Sequence, residues 1–236
     1  MPAFWFSLLS WLTVALVVGR GFYLRGLPYA LFSVMVLGLL TASTTLLFPL
    51  LGPLGWLMVP LQIVTFLHFL LLSRPHLRPL PYRVLVSIPG SWYAAGALLA
   101  LPWALIAALG FEPWAPWLPW LVALPGVVTS LRTRVEDLEL VLDGRPVGEL
   151  SRIDAGVQRV PRSLSVVQIS DPHLGPFMSV ERLAAICQRA VERRADLIVL
   201  TGDYLTMESN NTPGALARAL EPLKRAGSPV FAIFGN

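Results

Sequence analysis

The chain has 236 residues, 55% of them hydrophobic and 14% charged, with a mean hydropathy of +0.66. This excludes a disordered chain and an ordinary soluble domain, in which about a quarter of residues carry charge. The net charge of +4 resides in residues 1–131, which hold five arginines and one acid, whereas residues 132–236 hold thirteen basic and thirteen acidic side chains; that balance leaves no basic patch for nucleic acid, and no nucleic-acid partner is expected.

Five apolar stretches, at about 3–19, 27–48, 54–72, 84–109 and 114–131, approach the roughly 20 residues that cross a bilayer. Residues 1–131 are therefore expected to form a transmembrane helical domain of four to five helices. The fifth stretch carries Pro116, Pro119 and Pro125, so it either crosses or lies kinked at the interface. No basic residue precedes the first stretch and no small-residue cleavage site follows it, which argues against a signal peptide. Arg20 and Arg25 fall between stretches one and two, and Arg74, Arg78 and Arg83 between three and four; Arg132 and Arg134 follow five. Positive residues collect in cytoplasmic loops. Five crossings then place the N-terminus outside and the polar half in the cytoplasm of a bacterial inner membrane; without the fifth, the polar half faces outward. Trp114, Trp117 and Trp120 suit an interfacial belt. His68 lies inside the third stretch with no acidic residue in the first four, so a neutral, hydrogen-bonded histidine is expected rather than an ion pathway.

At Arg132 the composition changes. Residues 135–142 alternate and end at Asp143-Gly144, which predicts a first strand. Residues 163–170 form a second, β-branched run. Residues 179–194 have helical spacing behind Ser179 as an N-cap, with Cys187 as a small core residue. A strand follows at 196–201, a helix at 212–226 capped by Thr212, and a strand at 229–234. Strands alternating with helices imply a parallel sheet, and continuously apolar strands imply one covered on both faces. Glu208, Ser209, Asn210 and Asn211 are expected in a polar loop near the mouth of the site. Chemistry in such sheets gathers past the carboxyl ends of the strands. There the three strands of the βαβαβ unit run into Asp171-Pro172-His173, Gly202-Asp203 and Gly235-Asn236. Carboxylate, imidazole and amide oxygen together suit Mn, Fe or Zn more than Ca.

The segments Ser170–Gly175 (SDPHLG), Leu200–Asp203 (LTGD) and Phe234–Asn236 (FGN) resemble the opening motifs of the calcineurin-like metallophosphoesterases, most closely the membrane-anchored bacterial members. The resemblance implies an αββα sandwich, of which residues 132–236 would be the N-terminal portion. It implies two divalent metal ions, with Asp171 and His173 on the first, Asp203 bridging both and Asn236 on the second. These ions would hold the attacking hydroxide and neutralise charge on the phosphoryl group of a phosphomono- or diester. Pro172 stands where the family usually has an apolar residue, and is expected to hold Asp171 extended. Thr206 stands where many members have a second aspartate outside the metal shell. The family continues past this asparagine with a histidine, and further histidines complete the second site. Residues 1–236 alone are therefore expected to be inactive or nearly so. Location at the bilayer suggests a lipid-linked substrate and contact with membrane lipid. The alternatives are a non-catalytic membrane protein with a degenerate or truncated metal-binding module, and, less well supported, a transporter.

Overall fold

A computed structural model describes residues 2–138 and 164–235. The N-terminal part is helical. Helix α1 (Pro2–Arg25) runs past Arg20, whose long stem can lie along an apolar helix while its head reaches polar partners. Helices α2 (Leu27–Leu47) and α3 (Gly55–Leu72) are linked by a 3-10 stretch, Phe48–Leu54. By length and apolarity α1 and the run Leu27–Leu72 can each cross a membrane. That run is not a rod. Gly52 adopts φ +52°, ψ −129°, outside the helical region, and the chain doubles back. The Tyr29 hydroxyl donates to Phe69 O at 2.6 Å, a contact that a straight 46-residue helix would forbid.

The fourth stretch is broken where one helix was expected. It comprises one helical turn, α4 (Leu80–Tyr82), a π-helical turn at Arg83–Ser87, α5 (Ile88–Leu99) and α6 (Leu101–Ala108). The axis bends by 49° between Leu99 and Leu101, where Pro102 has no N–H to give the Leu98 carbonyl. Taken as one span, this pair raises the number of candidate crossings to three among the described residues. Helix α7 (Leu118–Ser130) has 13 residues and returns along α5, with Trp92 Nε1 donating to Trp120 O at 2.9 Å. Trp120 is buried, stacked on Tyr93 and pressed against Gly96, where any side chain would collide with its ring. Trp114 and Trp117 are exposed.

Small polar residues line the helix contacts, as expected where lipid offers no hydrophobic drive between helices. Gln62 Nε2 donates to Ser10 Oγ (3.1 Å), and its Oε1 accepts from the Tyr93 hydroxyl (2.6 Å), tying α1, α3 and α5 together. Ser43 Oγ donates to Ala97 O at 2.5 Å, joining α2 to α5. His68 is buried, with Phe69 edge-on and Tyr82 beside it.

The polar part is a three-stranded parallel sheet in the order β1 (Val166–Ser170), β2 (Leu197–Thr201), β3 (Val230–Ala232). The crossovers are α8 (Val180–Glu192) and α9 (Ala215–Leu220), the latter extended by a 3-10 turn at Glu221–Arg225. Ser179 caps α8 as expected, its Oγ accepting from Arg182 N at 3.1 Å. Thr212 does not cap α9; Gly214 does, in the left-handed region. Both helices lie on one face, where Ile169, Ile198 and Leu200 meet Leu183, Cys187, Ala219 and Leu223. Burial lifts the Cys187 thiol to about 11, so it stays protonated and unreactive at neutral pH. The expectation of a sheet covered twice is not met among the described residues: Val166 and Phe231, on the other face, are 47% and 63% exposed. Of the strand expected at 135–142, residues 135–138 have no regular structure and the rest lie outside the described residues.

Candidate metal centre

The strand register builds the site. Ser170 pairs with Thr201, so Asp171 and Gly202 leave the sheet side by side. Beyond the strands the backbone ladder continues: Asp171 N donates to Thr201 O (2.9 Å), His173 N to Asp203 O (3.0 Å), Leu174 N to Tyr204 O (2.8 Å) and Thr206 N to Leu174 O (3.2 Å). Thr206 Oγ1 also donates to Leu174 O at 2.8 Å. That hydroxyl sews the two loops together, a role its position in the motif did not suggest.

Asp171 is not extended as expected ahead of a proline. Its φ is +43°, and so is that of His173. Two left-handed non-glycine residues cost about 1–2 kcal/mol each and persist only where neighbours hold them. The ladder does so, with Pro172 buried between them. The turn sends the Asp171 carboxylate over Gly202, where Oδ1 accepts from Asp203 N at 3.3 Å. Gly202 itself has φ +104°. The Asp203 carboxylate in turn lies over Gly235. A side-chain carbon at either glycine would strike the carboxylate facing it, so both glycines are the floor of a cradle for acidic groups.

The structure thus brings Asp171 and Asp203 onto adjacent strand ends, and Gly235 beside Asp203. His173 joins them through its backbone; its side chain is exposed. Asn236 lies outside the described residues. Among the described residues, no three His, Cys, Asp or Glu side chains are grouped as a metal cage. Two carboxylates held clear of side-chain bulk fit a divalent cation in donor chemistry.

Residues 164–236 match the model of one protein family, described as calcineurin-like phosphoesterase. This part of the chain is similar to that family. No curated protein and no solved structure matches the chain.

This matched segment abuts the helical part through residues that were expected elsewhere. Glu208 and Ser209 are not in an open polar loop: they are 3% and 1% exposed. Glu208 Oε1 accepts from Arg78 N at 3.2 Å, and Thr212 Oγ1 from Leu77 N at 2.8 Å. Arg83 donates through Nε (2.8 Å) and Nη2 (2.6 Å) to Pro176 O. The signal available was charge: a second acid, Glu208, in the β2–α9 loop beyond Asp203, and three arginines between stretches three and four.

Burial raises the Glu208 carboxyl above its ordinary 4.5, against the pull of Arg78 and Arg83. The folded chain therefore holds this proton more tightly than the unfolded one, and the stability Glu208 contributes falls as pH rises from 4.5 through the raised value. Glu208→Gln cannot titrate. In thermal melts in lipid nanodiscs, the wild type is expected to lose melting temperature relative to Glu208→Gln as pH climbs through that window. A difference between the two that is flat in pH contradicts this.

Proposed function

We propose that the chain is a membrane-anchored, metal-dependent phosphoesterase that hydrolyses a phosphomono- or diester through a dinuclear site. The observation that supports it best is the pair of carboxylates, Asp171 and Asp203, on adjacent strand ends of the segment matched by the family, each facing a glycine. Asp171, His173, Asp203 and Asn236 would hold two divalent ions of the Mn, Fe or Zn kind. Ions bound there supply Lewis-acid neutralisation of charge on the phosphoryl oxygens. The residues of this chain bind and orient: Asp203 N holds the Asp171 carboxylate, and the two glycines keep both carboxylates open to a ligand.

Residues 1–131 would be the transmembrane domain, with four to five crossings, and 132–236 the phosphoesterase portion on the cytoplasmic side of a bacterial inner membrane. The arginine-bearing segments favour this orientation. Arg20 Nε reaches Ser73 Oγ (3.3 Å), Arg25 Nη1 reaches Leu72 O (3.3 Å), and Arg83 reaches the phosphoesterase segment, so all three lie at one end of the bundle. A site held at that end suits a lipid-linked phosphoester.

One observation favours the non-catalytic alternative, namely that the described donors are not gathered as a set of three. The test uses the protein as the cell makes it, in lipid nanodiscs. Mn2+-dependent hydrolysis of p-nitrophenyl phosphate or its bis ester, lost on chelation and regained with Mn2+, is expected. Absence of both Mn2+ binding and hydrolysis would leave the non-catalytic module as the better reading.

A further inference from the structure

Three features of the junction between the two parts act on the same object. The loop after β1 (residues 171–178) carries Asp171 and His173; the loop after β2 (residues 202–214) carries Asp203. Backbone bonds at His173, Leu174 and Thr206, with the Thr206 hydroxyl, join these loops into one hydrogen-bonded body. Segment 73–83 of the helical part grips that body at three separated points: Pro176 O by the Arg83 fork, Glu208 by Arg78 N, and Thr212 by Leu77 N. Arg83 begins the π-helical turn that leads into α5, and Arg182 Nη1 holds the next carbonyl, Phe177 O, at 2.7 Å. The contact is dry. Glu208 is 3% exposed, and its Oε2 and the Tyr82 hydroxyl are buried without partners among the described residues. A passive tether would need none of this. A covalent linker holds two parts together without gripping the loops that bear candidate metal ligands.

We propose that segment 73–83 is a positioning element of the metal centre, in which Arg83, through Pro176 O, and Glu208, on Arg78 N, hold the loops carrying Asp171, His173 and Asp203 in register. This rests on the phosphoesterase reading. It adds that the membrane bundle completes the enzyme instead of merely locating it. Residues that orient metal ligands from outside the coordination shell typically govern about 10- to 100-fold in metal affinity. The two left-handed residues, Asp171 and His173, are where such support matters most, because their conformation relaxes once the surroundings loosen.

The test compares the wild type with Arg83→Ala, Glu208→Ala and Glu208→Gln in lipid nanodiscs, with two readouts. One is Mn2+ affinity, from the electron paramagnetic resonance of the free ion. The other is backbone hydrogen exchange at residues 171–178 and 203–212, with α3 as an internal reference. Arg83→Ala and Glu208→Ala are expected to weaken Mn2+ binding about 10-fold or more and to speed exchange in both loops, while α3 is unaltered. Glu208→Gln keeps an oxygen for Arg78 N and is expected to restore both. Unchanged loop exchange in the alanine variants overturns the proposal, as does faster exchange with undiminished Mn2+ affinity. If the wild type binds no Mn2+, the reading under Proposed function falls, and loop exchange alone decides whether the bundle positions the loops. Should Arg83→Ala fail to fold, Thr212→Val removes the grip on Leu77 N and is read in the same way.

Discussion

Asp203→Ala is expected to abolish Mn2+ binding and to cut metal-dependent hydrolysis by more than about 100-fold, since even residues that only orient a ligand are worth 10- to 100-fold. The substitution is unusually clean. Every bond by which Asp203 is seen to support the fold is made by its backbone: N donates to the Asp171 carboxylate, and O accepts from His173 N. Alanine keeps both. Among the described residues the carboxylate over Gly235 makes no bond to the sheet, so its loss would remove a candidate ligand and leave the scaffold. Melting temperature and circular dichroism within error of wild type, with metal titration lost, is the expected pattern. Retained Mn2+ affinity in a folded Asp203→Ala protein contradicts the assignment of this residue.

Gly202→Ala is the complementary case, in which geometry fails while every donor remains. At φ +104° an alanine is strained by about 1–2 kcal/mol or more. Its methyl group would also occupy the space of the Asp171 carboxylate. The carboxylate must swing away, breaking its bond from Asp203 N. A displacement near 1 Å at a reacting centre can cost about 100-fold. The variant is therefore expected to show both a lower melting temperature and a loss of metal-dependent rate of that order. Near-wild-type activity would mean that Asp171 does not need the place it occupies, and the two-carboxylate cradle would lose its meaning.

Much of the sheet was legible because its signals are local. The apolar runs marked the carboxyl ends of β1 and β2 to the residue, though β1 begins three residues later than expected, and Ser179 announced the start of α8. The strand-end motifs put Asp171 and Asp203 on adjacent strand ends, because parallel pairing carries such ends to one place. What failed depends on partners distant in sequence. Thr212 looks like a cap, yet its hydroxyl serves Leu77, 135 positions away. Glu208 looks solvated, yet Arg78 buries it. Asp171 precedes a proline, which biases it toward extension, but the ladder from Thr201 and Asp203 imposes the opposite hand. The bend near Pro102 was readable in principle, although apolarity alone suggested one continuous span. Trp120 has the residue type of an interfacial belt, and what its type did not reveal is that its ring packs over Gly96 inside the bundle.

The span of the Leu77–Thr212 contact also bears on biosynthesis. Its two halves are 135 residues apart, and at 5–20 residues per second a ribosome needs on the order of 10 s to make the second after the first. The helices are made first, and for that interval the eventual acceptors of the Leu77 and Arg78 amides are not yet synthesised. Docking of residues 164–235 on segment 73–83 therefore has to wait for the synthesis of Thr212, and a competing peptide that occupied this landing would delay it without touching the helices.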